Sequence, residues 1–296
     1  MSLVLLGIDL AWSNRARTGL AAVLPSGALL DSTSVRSDDE IVQWVCRDGW
    51  APVVAAIDAP LIVTNATGQR PCERRVSQEF GRFGASCHTS NLARSWFDPP
   101  RAATLAGAQG WNPDPCHTGS PDHPAAIEVY PHPAMVSLFG LDRVIPYKGK
   151  ARRGVDMRRG AFRVLLDHMA RIEPLGLASS ARWRAIADDV DRATRQVDLD
   201  RIEDEVDAIF CAHLAWLWWR DRDALRVYGD LGSGFIVTPP PPSRAGRVGL
   251  DAIGPGADSS GVDSPNAGSP EVDSPELHGP RGQARRTPPT VCPCPS

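Results

Sequence analysis

The sequence predicts an α/β protein: a mixed sheet, built from a three-strand antiparallel meander plus parallel strands, flanked by helices. Three observations lead there. Two short apolar runs, Leu3–Ile8 and Pro52–Ile57, have the composition of strands buried on both faces. Between them lie two further strand patterns and one helix pattern, separated by turn residues. Each of the two apolar runs ends in a carboxylate, Asp9 and Asp58, where sheet proteins tend to gather functional groups.

The elements follow in chain order. Leu3 to Leu10 is the first strand, and Asp9 lies near its end. A charge there is costly unless something pairs with it. The segment alone leaves two readings open: a cap on the following turn, or a partner for a cation. Ser13 to Arg17 is a polar connection, Thr18–Leu24 a second strand and Pro25-Ser26-Gly27 a turn. Ala28–Val35 returns as a third strand. Ser37 and Glu40 have capping-box spacing ahead of a short helix through Ile41, Trp44 and Val45, which Asp48-Gly49 ends. The run into Asp58 is the fourth strand. If it lies beside the first and parallel to it, Asp9 and Asp58 meet at one end of the sheet, and like charges so close resist joint ionisation unless a cation bridges them.

Residues 61–125 form a loop-rich insertion with Arg70, Arg74, Arg75, Arg82 and Arg94, and with Trp96, Phe97 and Trp111 among them. Arginines interleaved with aromatics suit phosphate contacts and base stacking; a solvated lid with a few packed aromatics suits the pattern equally. Ala125–Tyr130 is a strand in which alternation places Glu128 on the face opposite Ile127 and Val129. A short helix from Ala134 to Phe139, a basic loop Tyr147-Lys148-Gly149-Lys150 and helices over 156–173 and 182–196 follow. The strongest helix pattern spans Leu199 to Asp221. On its wheel Ile202, Val206, Ile209, His213 and Leu217 form one apolar stripe, and Ala208, Ala212 and Ala215 a second of small side chains suited to close approach to a sheet. Asp204 and Asp207 share the strip beside the alanines, with Asp207 the deeper; His213 is a core histidine. Phe235–Val237 is a short last strand. From Pro239 to the end the chain is rich in Pro, Gly, Ser and Asp and is expected to be a disordered tail.

With 296 residues and a net charge of −3, no global basic field advertises nucleic acid. Positive charge is almost all arginine; Lys148 and Lys150 are the only lysines. The seven cysteines lack the spacing of a disulfide framework, and the pairs Cys87-His88 and Cys116-His117 lack the gap between ligands usual for zinc. Without a signal sequence or membrane-spanning stretch, a cytoplasmic protein is expected.

Asp9, Asp58, Glu128 and Asp207 are four carboxylates set in apolar elements, with Asp204 beside them. Such oxygen-rich clusters favour Mg²⁺ or Mn²⁺, and two ions held together can drive phosphodiester hydrolysis. Meander, helix, strand is also the order of a ribonuclease H-like fold, whose acidic residues come from the first strand, the fourth strand and a C-terminal helix. The segments Gly7-Ile8-Asp9-Leu10-Ala11, Ala56-Ile57-Asp58-Ala59-Pro60-Leu61, Glu128-Val129-Tyr130-Pro131, Tyr147-Lys148 and Asp204-Glu205-Val206-Asp207-Ala208 resemble domain-of-unknown-function family 429. That family is described as predicted ribonuclease H-like nucleases related to the RuvC resolvase group, and the similarity covers residues 3–238. The resemblance implies Asp9, Asp58, Glu128, Asp204 and Asp207 as metal ligands and a metal-dependent nuclease. In this reading Asp9, Asp58, Glu128 and Asp207 are catalytic, and Arg70, Arg74, Arg75 and Lys148 grip phosphates of a nucleic-acid substrate. Two alternatives share the fold. An actin-like or sugar-kinase phosphotransferase would want a glycine after Asp9-Leu10, where Ala11 stands; a non-catalytic binding module would have lost its metal.

Overall fold

A computed structural model describes residues 1–11, 16–150 and 153–242. Its centre is a five-stranded mixed sheet in the order β3-β2-β1-β4-β5, where β1 is Ser2–Asp9, β2 Thr18–Val23, β3 Leu29–Val35, β4 Trp50–Ile57 and β5 Ala125–Glu128. The first three strands are antiparallel neighbours; β4 pairs parallel to β1, and β5 parallel to β4. The meander and the parallel addition are therefore as the sequence predicts. The polar connection expected over 13–17 lies outside the described residues except for Ala16 and Arg17. So does the tail from residue 243 onward.

Between β3 and β4, α1 (Asp38–Val45) begins as its sequence dictates. Ser37 Oγ accepts from Glu40 N–H at 3.2 Å, and Glu40 Oε2 accepts from Ser37 N–H at 2.9 Å, so two otherwise orphaned donors are satisfied. The insertion holds more regular structure than its composition suggests. α2 (Pro71–Phe80) starts with a proline at its first position and buries Cys72, Val76 and Phe80 at four-residue intervals. α3 (Arg101–Ala108) buries Ala102, Leu105 and Ala106. α4 (Pro131–Leu138), α5 (Val155–Ala170) and α6 (Ala181–Arg192) follow. β6 (Arg226–Asp230) and β7 (Gly234–Thr238) form a separate hairpin, of which the sequence pattern signals only the second strand. With α2 this hairpin encloses a small second core of Cys72, Val76, Phe80, Phe83, Tyr228 and Ile236.

The main core is organised by α7 (Gln196–Arg220), which lies across β1, β2 and β4. The two glycines beneath it explain why it can. A Cβ on Gly7 would lie 2.1 Å from Ala208 O and Ala212 N, and one on Gly19 would lie 1.8 Å from Asp204 O. Backbone thus touches backbone, with the alanine stripe of α7 supplying the other half of the fit. Sheet register fixes which side chains share that face. Gly7 pairs with Ala21 and Ala56, and Asp9 with Gly19, so Asp9 and the continuation of β4 into Asp58 point toward α7. Asp58 N–H donates to Ile8 O at 2.8 Å and keeps the ladder intact to that residue. Among the described residues no helix is long and apolar enough to cross a membrane.

Replacing Gly7 by alanine forces α7 off the sheet. Gly7→Ala is expected to lower unfolding stability by about 1–3 kcal/mol or more, read from the urea midpoint; an unchanged midpoint would contradict this packing.

Candidate active site

Three separated elements deliver carboxylates to one place. Asp9 comes from the end of β1, Asp58 from the residue after β4, and Glu203, Asp204 and Asp207 from the second and third turns of α7. Asp207 is fully buried, while Asp9, Asp58, Glu203 and Asp204 are half-buried. The chain brings one ammonium into their midst. Lys148 Nζ contacts Asp207 Oδ2 directly and lies 3.5 Å from Glu203 Oε1 and 3.9 Å from Asp9 Oδ2.

The loop carrying Lys148 is locked from beneath. Tyr147, completely buried, donates its hydroxyl to Asp207 Oδ1 at 2.7 Å. Arg158 of α5, also completely buried, donates Nε to Tyr147 O at 2.7 Å and reaches Asp200 and Glu203 of α7 at 2.6 and 2.5 Å. One guanidinium therefore holds the loop to the helix that bears the acids. Asp207 has one oxygen committed to Tyr147. Its other oxygen is ion-paired with the Lys148 ammonium, whereas Asp9 Oδ2, 3.9 Å from that ammonium, is buried and accepts no hydrogen bond.

This crowding shows in the protonation equilibria. Burial pushes Asp9 well above the usual carboxylate range, with Asp207, Asp58 and Asp204 adding to the push and Lys148 opposing it. Burial likewise raises Asp58 to about 7, with Lys148 opposing and Asp207 and Glu128 adding to the push, and raises Asp204 to about 7 against Lys148 and with Glu203 and Asp207. For Lys148 burial works against the charge, but Asp207 and Asp9 outweigh it and hold the pKa above that of an ordinary lysine. The cluster carries more acid than one lysine neutralises.

Four predicted site residues stand outside the acid cluster. Glu128 pairs in register with Ile57, one residue out of phase with Asp58, so its side chain leaves the sheet on the face away from α7. There Arg70 grips it through two nitrogens, at 2.8 and 2.5 Å, and Leu61 N–H donates at 3.0 Å. Glu128 is thus a buried anion paired with Arg70, apart from the acids of α7 but lining the cleft that Asp58 also borders. Arg70 does not reach a substrate either: it is buried, bound to Glu128, to Glu73 at 2.9 Å and to Ile62 O at 2.9 Å. Arg74 and Arg75 are exposed on α2 and line neither cleft that borders Asp58 or Asp204. Lys148 belongs to the site, but its ammonium holds carboxylates. His213 is a buried core histidine stacked on Trp216, kept neutral by burial, which lowers its pKa to about 4, and its Nδ1 has no hydrogen-bond partner.

Four participants escape the sequence patterns. Tyr147, Arg158 and Glu203 have only indirect signals, such as an arginine in the predicted inner part of a helix. His132 sits between the rings of Tyr130 and Tyr147, each 5.7 Å away, and burial beside Lys148 lowers its pKa to about 4. Its signal is position alone, four residues past Glu128.

A donor set made entirely of carboxylate oxygens suits a hard divalent cation such as Mg²⁺ or Mn²⁺. One of those oxygens, Asp9 Oδ2, is buried without a hydrogen bond, which also fits a cation. Among the described residues, however, no three His, Cys, Asp or Glu side chains are arranged as a ready coordination set; Lys148 Nζ stands where the acids converge. Asp9, Asp58, Asp204 and Asp207 are the residues that could hold such an ion once the ammonium moves aside.

A family model described as "protein of unknown function (DUF429)" matches residues 7–231. No curated protein and no solved structure matches the chain.

Two outcomes follow from this geometry. Arg70→Ala leaves Glu128 and Glu73 buried without their cation and is expected to cost about 3–5 kcal/mol of stability, measured by chemical denaturation. Asp58 and Asp204 titrate near 7 in the folded chain and near 3.8 when unfolded. The folded state therefore binds more protons between those values, and stability of protein kept in chelator falls as pH rises from about 4 to 7. Asp58→Asn removes part of that loss and is expected to raise Tm at pH 8 by about 2–8 °C in chelator; a lower Tm would contradict the crowding.

Proposed function

We propose that this chain, which belongs to the DUF429 family of proteins of unknown function, is a metal-dependent phosphodiester hydrolase acting on nucleic acid. One observation carries this reading: acids from β1, β4 and α7, distant in sequence, converge on one place, where Asp9 keeps a buried oxygen without a hydrogen bond and Asp207 turns one toward the Lys148 ammonium. The strand order and the origin of the acids are also those expected of a ribonuclease H-like nuclease.

In this reading Asp9, Asp58, Asp204 and Asp207 hold Mg²⁺ or Mn²⁺. When bound, the ion supplies Lewis acidity toward phosphodiester oxygens and makes water a stronger acid. The chain's own groups do the rest. Tyr147 fixes Asp207 so that one oxygen points into the pocket, and Arg158 braces both the tyrosine and Glu203. Lys148, paired with Asp207, Glu203 and Asp9, neutralises part of the cluster's charge and is the cation nearest to where a phosphate would lie. Water attacks phosphorus, one P–O ester bond breaks, and no covalent link to the protein forms. The proton that the attacking water gives up ends on the departing ester oxygen.

A second reading rests on Lys148 itself. Its ion pairs to Asp207, Glu203 and Asp9 could satisfy the cluster permanently, leaving a non-catalytic binding module. Calorimetric titration with Mn²⁺ separates the two, since a hydrolase binds the ion without nucleotide and a module does not. On labelled DNA, RNA, hybrid and branched substrates with Mn²⁺, Asp9→Asn and Asp207→Asn are each expected to lose at least about 100-fold in cleavage, because a ligand matters more than the outer partners whose loss costs about 10–100-fold. Full cleavage by Asp9→Asn would refute the proposal.

A further inference from the structure

We infer that the cleft opening beside Asp204, and not the insertion, is the track for the phosphates of a nucleic-acid strand; this rests on the hydrolase reading above. The cleft has a volume of about 420 Å³, and its basic lining is Arg17, Arg36 and Arg201. Fold geometry places these three together. Thr18 pairs with Val35, so Arg17 and Arg36 extend the paired ends of β2 and β3 side by side. Arg201 precedes Asp204 by one turn of α7 and shares its side of the helix. The arginines thus lead directly to the acid cluster.

Charge distribution makes this cleft an anion site. Among the described residues the three guanidiniums close no short ion pair, although Arg17 acts at longer range on Asp204 and Arg36 on Glu40. Of the acids that also line the cleft, Asp200 is engaged with Arg158 and Glu203 with Arg158 and Lys148, while Asp204 interacts with Lys148 and Arg17. Elsewhere on the surface arginines find carboxylates, as Arg47 does in Asp31 and Arg163 in Asp191. Phosphates suit the planar, forked geometry of guanidiniums that no short ion pair occupies. A space of this size exceeds what one phosphate fills. Val197, exposed at the rim, offers an apolar contact for a sugar. The substrate class is therefore a polymer with successive phosphodiesters.

Binding of fluorescein-labelled single-stranded DNA, single-stranded RNA and duplex DNA to the full chain, followed by anisotropy across a salt series in EDTA, tests this. The triple variant Arg17→Ala/Arg36→Ala/Arg201→Ala is expected to flatten the dependence of log K on log salt by about 2 for a single strand or about 3 for a duplex, and to weaken binding at least about ten-fold near 0.1 M salt. Arg74→Ala/Arg75→Ala should leave slope and affinity unchanged. An unchanged slope in the triple variant, or no binding of wild type to any probe, overturns the inference. Circular dichroism of the triple variant checks that it folds. Mn²⁺ calorimetry on both proteins keeps the two proposals apart. Loss of Mn²⁺ binding in wild type with an arginine-dependent slope would sink the hydrolase reading and leave the track standing, whereas Mn²⁺ binding with an arginine-independent slope would do the reverse.

Discussion

The contact on which the structure depends is that of α7 with bare backbone at Gly7 and Gly19. A helix normally rides on side chains above a sheet. Here the absence of two Cβ atoms lets it sink until Ala208, Ala212 and the carbonyl of Asp204 meet the strands. That depth brings the acids of α7 beside Asp9 and Asp58. It also removes water from them, which is why burial dominates the upward shifts of all three titrating aspartates.

Packing acids so deeply is unfavourable, and the surrounding groups exist in an arrangement that contains the cost. Tyr147 takes one oxygen of Asp207, Arg158 ties the loop to α7, and Lys148 places a compact ammonium among the acids. The chain uses arginine nearly everywhere for positive charge, yet a lysine stands at this centre. A guanidinium, planar and forked, would bind the carboxylates in fixed pairs. An ammonium on a flexible stem is a point charge that can withdraw. Sites that hold function commonly retain such local instability, since the best-packed neutral alternative would abolish it.

The opposite face of the sheet follows a different logic. Arg70, Glu73 and Glu128 form a fully enclosed network that joins β5 to α2 and, through Ile62 O, to the chain leaving β4. Every charge in it is answered by a partner at hydrogen-bond distance, so its contribution is to fix α2 and the β6–β7 hairpin against the sheet. Two groups of buried acids thus lie near Asp58, one closed by arginine and one left in excess.

Local patterns carried much of this. Apolar runs fixed β1 and β4, the capping box fixed α1, and the alanine stripe with Asp204 and Asp207 on one strip foretold the buried side of α7. Even the displacement of Glu128 was written in strand alternation, which sets it out of phase with its neighbours. What sequence could not supply was the pairing between strands: only the register of β5 against β4 shows that Glu128 and Asp58 leave by opposite faces. Arg70 looked like a surface cation because composition says nothing of burial, and its partners lie 3 and 58 residues away. Lys148, Glu203 and Arg158 meet only once loop, helix and helix are packed. Periodicity records which way a side chain points within its own element; long-range contacts decide what it finds there.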